Sequence, residues 1–198
     1  MLKIGLTGSL ASGKSTTLRM FAEAGVPVFS ADAAVHALYR GRAAPPVAAA
    51  FPDTVKEGAV DRVALAATVL DDPVALARLE TIVHPLVAEE EADFFARTAD
   101  AGHRLAVSDV PLLFETGAEV RYDLIVVVTA PAATRRERAL ERPGMTEARY
   151  ESLLRRQMPD EEKRRRAHFV IDTGHGMEAA RRSVDDILRA VAPMAARL

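Results

Sequence analysis

The amino-acid sequence has no cysteine, which excludes disulfides, thiolate catalysis and cysteine-based metal sites. It has no apolar run near the roughly 18 residues of a membrane-spanning helix, and its first residues show no signal-peptide pattern. Its formal net charge of −2 lacks the basic excess that is typical of a general nucleic-acid binder. We therefore expect a cytoplasmic protein that binds neither a membrane nor nucleic acid.

The chain of 198 residues is long enough for one domain with a full hydrophobic core. Hydrophobic residues make up 49% and charged residues 27%, which is ordinary globular usage and argues against disorder. Strands that alternate with helical patterns predict an α/β fold with a parallel sheet. The apolar runs that predict strands lie at 2–6, 26–29, 105–109, 123–129 and 169–172.

Residues 40–102 differ from the rest of the chain by their prolines and by three predicted helix starts. These starts lie at Asp61, at Asp72-Pro73 and at His84-Pro85. Proline is tolerated in the first turn of a helix, where its missing N–H has no intrahelical partner. We interpret this stretch as a helical insertion with three separate helices, and not as a separate domain.

The pattern G-x-x-x-x-G-K-S lies between the first predicted strand and a helix that begins near Lys14. Such a loop turns successive backbone N–H groups toward phosphates, and the helix adds its positive end. Lys14 is expected to reach the β- and γ-phosphates, and the Ser15 hydroxyl to ligate Mg²⁺. The alternative is a glycine-rich turn with a helix-capping serine. The predicted nucleotide-binding residues are Gly8, Ser9, Leu10, Ala11, Ser12, Gly13, Lys14, Ser15 and Thr16.

Two aspartates follow predicted strands, where ligands of open parallel sheets bind. Asp32 follows the second strand and is a candidate to orient or deprotonate an attacking hydroxyl. Alternatively, Asp32 caps the helix that follows it. Asp109 ends the third strand and is a candidate to hold Mg²⁺ or its water, with a strand-end turn residue as the alternative. Glu115 is a weaker candidate.

Arginines concentrate on the helical pattern that follows the fourth predicted strand. Arg138 and Arg142 are four residues apart and share a helix face. Arginine suits bidentate phosphate contacts, and a lid that carries it would exclude water. The alternative is a solvated, salt-bridged surface, which is our interpretation of Arg135 and Arg136. His84 is either a packed or capping residue or a substrate contact.

A P-loop does not by itself separate kinases, GTPases and ATP-driven machines. The chain has no asparagine, so it lacks the N-K-x-D sequence with which GTPases read guanine, and it has no D-x-x-G switch sequence. A short chain with a helical insertion and an arginine-rich lid favours a small-molecule kinase. The alternatives are a kinase for nucleotides or sugars and a nucleotide-dependent regulatory protein without turnover.

Several segments together resemble the dephospho-coenzyme A kinase family, in family order and across nearly the whole chain. The P-loop is shared by many families, whereas HPL and VPLLFE in combination with it are far more specific. The segments are IGLTGSLASGKST at 4–16, SADAAVH at 30–36, VHPLV at 83–87, DVPLLFE at 109–115, RALER at 138–142, QMPDEEK at 157–163 and FVIDTG at 169–174.

The resemblance implies transfer of the ATP γ-phosphate to the ribose 3′-hydroxyl of dephospho-coenzyme A, the last step of coenzyme A biosynthesis. ATP and Mg²⁺ are the implied cofactors. The implied catalytic residues are Asp32, Lys14 and Arg142. Residues implied in other contacts are Arg138 for the nucleotide, Asp32, His84 and Leu112 for the acceptor, and Ser15 and Asp109 for the metal.

This sequence departs from the family pattern at several positions. Ser9, Leu10 and Ala11 replace a more usual Gly-Ile-Gly, and we expect Ala11 to be tolerated only with a negative φ. Ser30 replaces the first aspartate of a D-A-D motif. Thr173 stands where asparagine is common near the adenine, and we expect this position to act largely through its backbone.

The predicted fold is a P-loop α/β three-layer sandwich with a five-stranded parallel sheet in the order 2-3-1-4-5. We expect one domain and a monomer, with a weak oligomer as the alternative, and dephospho-coenzyme A as the substrate partner. Within residues 1–198 the predicted parts are a core of about 1–31, 103–130 and 167–198, a helical substrate region of about 32–102 and a lid of about 131–166.

Overall fold

The computed structural model describes residues 1–70 and 72–197. Asp71, within the predicted helical region, and Leu198, at the end of the predicted core, lie outside the described residues. The described chain forms two compact units, of which the second is Ser30–Arg97 and the first contains the rest. Within the described ranges, no helix combines the length and the apolar character needed to cross a membrane.

The strands are β1 (Leu2–Gly8), β2 (Val28–Ser30), β3 (Val55–Lys56), β4 (Ala59–Val60), β5 (Leu105–Asp109), β6 (Leu124–Thr129) and β7 (Phe169–Asp172). The helices are α1 (Lys14–Glu23), α2 (Ala31–Leu38), α3 (Ala44–Ala50), α4 (Arg62–Val69), α5 (Pro73–Asp100), α6 (Ala132–Leu140), α7 (Glu147–Arg155), α8 (Asp160–Arg166) and α9 (Met177–Ala195).

A five-stranded parallel sheet organises the first unit. Its spatial order is β2-β5-β1-β6-β7, which confirms the predicted order 2-3-1-4-5. The central strand β1 pairs in parallel with β5, where Leu6 lies opposite Asp109, and with β6, where Gly8 lies opposite Val128. The carboxyl ends of these strands therefore meet at one edge of the sheet, where ligands of such sheets bind.

The core of the first unit follows from the hydrophobic pattern of its elements. All six residues of β6 are buried, as expected for a central parallel strand that is covered on both faces. Helix α9 buries Ala180, Val184, Ile187 and Val191, a three-to-four-residue spacing that places them on one face. These residues pack in one cluster with apolar residues of β1, β5, β6 and α1, so this helix layer holds the strand that leads into the P-loop.

The second unit has a separate core and a small antiparallel hairpin that the sequence analysis did not predict. In the hairpin, Val55 of β3 pairs with Val60 of β4. Asp61 follows it and accepts hydrogen bonds from the N–H groups of Val63 and Ala64 at 3.1 Å each, which confirms the predicted cap of α4. The Lys56 ammonium, 2.7 Å from its carboxylate, holds the pKa of Asp61 below its usual value.

The predicted helix boundary at His84-Pro85 is wrong, because α5 runs without interruption through Pro85. Proline in a helix interior removes one N–H donor and crowds the preceding turn. An apolar stripe on both sides of it packs into the core of the second unit and keeps the helix continuous. The stripe consists of Leu76, Leu79, Val83, Leu86 and Val87.

We predict that Pro85→Ala raises the free energy of unfolding by about 1–3 kcal/mol, because alanine restores the missing helical hydrogen bond. Urea unfolding followed by circular dichroism measures this change. Pro73→Ala is the matched control, since Pro73 is also exposed but begins the same helix, where proline is tolerated. Equal effects of the two substitutions would contradict the prediction.

Candidate active site

The P-loop encloses a cavity of ≈ 250 Å³ at the carboxyl edge of the sheet in the first unit. All nine P-loop residues that were predicted to bind nucleotide, 8–16, line it, together with Pro111, Arg142 and Gln157. Helix α1 begins at Lys14, inside this lining, so its free N–H groups and positive end adjoin the cavity. The arrangement is suited to a chain of phosphates.

Two glycines give the loop its shape. A Cβ at Gly8 would lie 2.3 Å from the carbonyl oxygen of Val128, so any side chain there would displace β6. Gly13 has a φ of +91°, which side chains rarely allow, and a Cβ there would lie 3.1 Å from Thr173 Cγ2. The loop can therefore run close against β6 and Thr173 only with glycine at both positions.

Ala11 has a φ of 60°, so the expectation of a negative φ is wrong. A left-handed conformation costs an alanine roughly 1–2 kcal/mol. Its buried methyl group packs in a small cluster with Ala139 of α6 and Tyr150 of α7. This packing helps to offset the strain, and it joins the P-loop directly to the predicted lid.

Lys14 forms an ion pair with Asp109 at the end of β5. The pair is largely shielded from solvent, because the side chains of Lys14 and Asp109 are 14% and 5% exposed. A buried carboxylate needs such a partner, since burial without one is costly. Asp109 is therefore more than a strand-end turn residue, and it lies beside the cation predicted to bind phosphate.

The oxygen atoms near this pair suit Mg²⁺. Ser15 lines the cavity and is exposed, and Asp109 supplies a carboxylate at the adjacent strand end. Mg²⁺ prefers one or two such protein oxygens and takes its remaining ligands from phosphates and water. Among the residues that the structure describes, no cluster of three or more histidines or acids can hold a metal by itself.

Thr173 connects the lid helix α6 to the P-loop through its side chain. Arg138 donates to the Thr173 hydroxyl at 2.9 Å and to its carbonyl oxygen at 3.0 Å. The same hydroxyl lies 2.7 Å from the carbonyl oxygen of Ser12, to which it donates. The Thr173 side chain therefore has a structural role between α6 and the loop, whereas its action near the adenine stays a prediction. Unlike Arg142, Arg138 does not line the cavity.

The arginines of α6 have different surroundings. Arg135 is buried and donates to the Ala130 carbonyl oxygen at 3.0 Å, so its interpretation as solvated surface is wrong. Arg136 is exposed and pairs with Glu147 of α7, as expected for a salt-bridged surface residue. Arg135 thus links α6 to the end of β6, and Arg136 links it to α7.

The second unit contains Asp32 and His84. Ser30 caps α2, since its hydroxyl accepts from the N–H of Ala33 at 3.2 Å, and Asp32 is the second residue of the helix, within its first turn. The alternative of a capping Asp32 is therefore wrong. The Asp32 carboxylate is 79% exposed and lies 3.8 Å from Nε2 of His36. His84 is exposed on α5 and, like Asp32, does not line the cavity in the first unit.

Two candidates near the end of β5 have contrasting surroundings. Leu112, predicted to contact the acceptor, is 37% exposed in the loop after β5. Glu115, the weaker candidate acid, instead forms an ion pair with the fully buried Lys163 at 2.8 Å. Gln157 also lines the cavity and was not predicted from the sequence, although it lies in the QMPDEEK segment that resembles the family.

Comparison with known proteins gives consistent matches. A family model described as Dephospho-CoA kinase matches residues 2–178. A Mesorhizobium japonicum protein named Dephospho-CoA kinase is 60% identical over 188 residues, which cover 95% of each chain. The crystal structure of a Thermus thermophilus protein covers 98% of this chain and 97% of its own, with a TM-score of 0.81 and 35% identity. A structure titled Dephospho-CoA kinase from Campylobacter jejuni covers 96% of each chain, with a TM-score of 0.67 and 21% identity, and supports the fold alone.

We predict that Thr173→Val weakens ATP binding by about fivefold to tenfold, because it removes a hydrogen bond worth about 1 kcal/mol that holds the loop. Isothermal titration calorimetry with ATP measures the affinity. Thr173→Ser keeps the hydroxyl and is expected to bind ATP within about twofold of the unmodified protein. Undiminished binding by the valine variant would show that the hydroxyl does not hold the loop.

Proposed function

The chain belongs to the dephospho-CoA kinase family, so it phosphorylates dephospho-coenzyme A with ATP in coenzyme A biosynthesis, and we propose that the acceptor is the ribose 3′-hydroxyl. The observation that supports phosphoryl transfer is the P-loop cavity with Lys14 and Arg142 on its wall, in a chain that matches the family along most of its length. The ribose 3′-hydroxyl is the acceptor that the family resemblance implies. The products are coenzyme A and ADP.

The proposed nucleotide site combines fixed dipoles with two cations. The N–H groups of the loop and of the start of α1 bind the phosphates, and Thr16 lies within reach of the α-phosphate. Lys14 binds the β- and γ-phosphates, and Arg142 binds the phosphates from the lid. These groups stabilise charge on the transferring phosphoryl group with little reorganisation, because the fold holds them in place.

Mg²⁺ is the proposed metal, with Ser15 and Asp109 holding it directly or through water. When bound, it neutralises charge on the β- and γ-phosphates. In this proposal Asp109 holds the metal in addition to pairing with Lys14. When phosphate is bound, it would also pair with Lys14, so Asp109 could turn from Lys14 toward the metal.

Asp32 is the proposed catalytic residue on the acceptor side. It follows β2, which pairs with β5 in the sheet. Ser30 caps the helix that contains Asp32, so the Asp32 carboxylate is not used as a cap. Its exposed carboxylate is suited to orient a hydroxyl or to accept the proton of that hydroxyl as the phosphoryl group moves. His84 and Leu112 are proposed acceptor contacts, as their places in the family motifs imply.

A panel of acceptors tests the proposed substrate. ADP release is measured with ATP and either dephospho-coenzyme A, a nucleoside monophosphate, shikimate or no acceptor. We expect a strong preference for dephospho-coenzyme A, and nuclear magnetic resonance of the product is expected to place the new phosphate on the ribose 3′-oxygen. Turnover that does not rise with dephospho-coenzyme A, or a phosphate at another position, would contradict the assignment.

We predict that Asp32→Asn lowers kcat by about 10²-fold or more, because the amide cannot accept the hydroxyl proton. ATP affinity is expected to stay unchanged, since the proposal places Asp32 on the acceptor and not on the nucleotide. Steady-state kinetics and calorimetry measure the two quantities. Asp93→Asn makes the same change at an exposed position of α5 and is the control. If both variants keep wild-type kcat, Asp32 has no role in the chemical step.

A further inference from the structure

Gln157 is the one carboxamide side chain in the sequence, and it lies on the wall of the nucleotide cavity. Its Oε1 accepts a hydrogen bond from the backbone N–H of Leu10 at 2.9 Å. A backbone N–H can only donate, so the amide oxygen must face the P-loop and the NH₂ group must face elsewhere. Among the described residues the NH₂ group makes no hydrogen bond. Its two donors are therefore available to a ligand.

The backbone that follows Gln157 is anchored to the loop after β5. The N–H of Met158 donates to Oε1 of Glu115 at 2.7 Å. The same oxygen pairs with the Lys163 ammonium, which is completely buried. A completely buried cation beside that carboxylate resists displacement, because separating the two would leave a charge unpaired away from water. The residue that follows Gln157, Met158, is therefore held in place by Glu115.

A second anchor lies three residues after Gln157. Asp160 accepts from the Ser9 hydroxyl at 2.9 Å and from the Thr129 hydroxyl at 2.6 Å. Arg135 lies 3.9 Å from the same carboxylate and adds a favourable charge interaction. Ser9 belongs to the P-loop itself, so the segment of Gln157 contacts the loop at two neighbouring residues, Ser9 and Leu10.

These contacts hold the amide in one orientation before a nucleotide binds. A donor held in this way is suited to stabilise charge that develops during a reaction. Leu10 lies in the first half of the loop, whereas Thr16, near the α-phosphate, lies on α1. The terminal phosphate of ATP is therefore expected on the side of the cavity that Leu10 and Gln157 share.

We propose that Gln157 is a catalytic residue whose amide nitrogen donates to the transferring phosphoryl group of ATP. The N–H of Leu10 orients the amide, and the anchors at Met158 and Asp160 hold it in place. This proposal rests on the ATP site and not on the identity of the acceptor.

The test compares ATP with ADP. Gln157→Glu keeps an oxygen for the Leu10 N–H but replaces the NH₂ donor by a negative charge. We expect the affinity for a non-hydrolysable ATP analogue to fall about tenfold or more and kcat to fall about 10²-fold, the scale of losing one charge-stabilising donor. The affinity for ADP is expected to stay within about threefold, because ADP lacks the phosphate that the amide contacts.

Arg155→Gln is the matched control. It lowers the net charge by the same one unit, lies two residues away, and removes a side chain that is 71% exposed and pairs with Glu151 on the same helix. We expect this variant to keep wild-type affinity for both nucleotides and wild-type kcat. Equal losses in Arg155→Gln and Gln157→Glu would overturn the proposal, since the effect would then come from charge at a distance.

Gln157→Met provides a second variant of similar length without a charge, should the glutamate disturb the fold. We expect it to lower kcat about tenfold or more while ADP still binds. Equal weakening of ADP and the ATP analogue in both variants would overturn the proposal, because Gln157 would then serve only to brace the loop. Binding needs no acceptor, so this result is independent of the panel that tests dephospho-coenzyme A.

Discussion

The ion pair between Lys14 and Asp109 is the interaction around which the site is arranged. It joins the P-loop to β5 and places a cation and an anion together at the carboxyl edge of the sheet. Water reaches little of either side chain, so neither charge can lose its partner without a replacement. In the ATP complex that we propose, the phosphates would compensate Lys14 and the metal would compensate Asp109. The ion pair is thus the charge arrangement that the proposed ligands would replace.

The second general feature is the close connection between the P-loop and residues 131–166. Hydrogen bonds link the loop to Gln157 and Asp160, and Arg138 reaches the loop through Thr173. The predicted lid is thus part of the wall of the nucleotide site in this structure. If residues 131–166 move away from the P-loop, the movement must either break these hydrogen bonds or be confined to the part of the segment around Arg142, which does not make them.

The sequence predicted what local rules determine. The P-loop pattern, the positions of the strands and the cap at Asp61 depend on backbone sterics, hydrophobic periodicity and short-range hydrogen bonds. The order of the strands is not local, and it was predicted from the resemblance to P-loop kinases. Lys14 and Asp109 were both predicted as site residues, but their pairing was not, because it depends on the register of two strands. The helix boundary predicted at Pro85 was wrong, because packing of the residues on both sides of it overrides a local signal that usually marks a helix boundary.

Contacts between distant parts of the chain explain the remaining differences. Ser9 and Asp160 are 151 positions apart, and no pattern within either segment indicates that they meet. Arg135 was expected in solvent because three arginines in a short stretch usually are, yet the carbonyl group of Ala130 and the charge of Asp160 accommodate it. Ser30, and not Asp32, caps α2, since two residues able to form a cap lie close together and only the backbone decides which one does.

Ala11 shows how one methyl group can limit the variation of a whole site. Its backbone turns the loop and its side chain fills the contact with Ala139 and Tyr150. A larger side chain would strain the left-handed backbone and push against α6, whereas glycine would leave the contact unfilled. The tolerance of this position is therefore narrow in both directions, and a sequence that changes it must also change the lid. In related kinases we therefore expect a change of residue at position 11 to be accompanied by a compensating change at position 139 or 150.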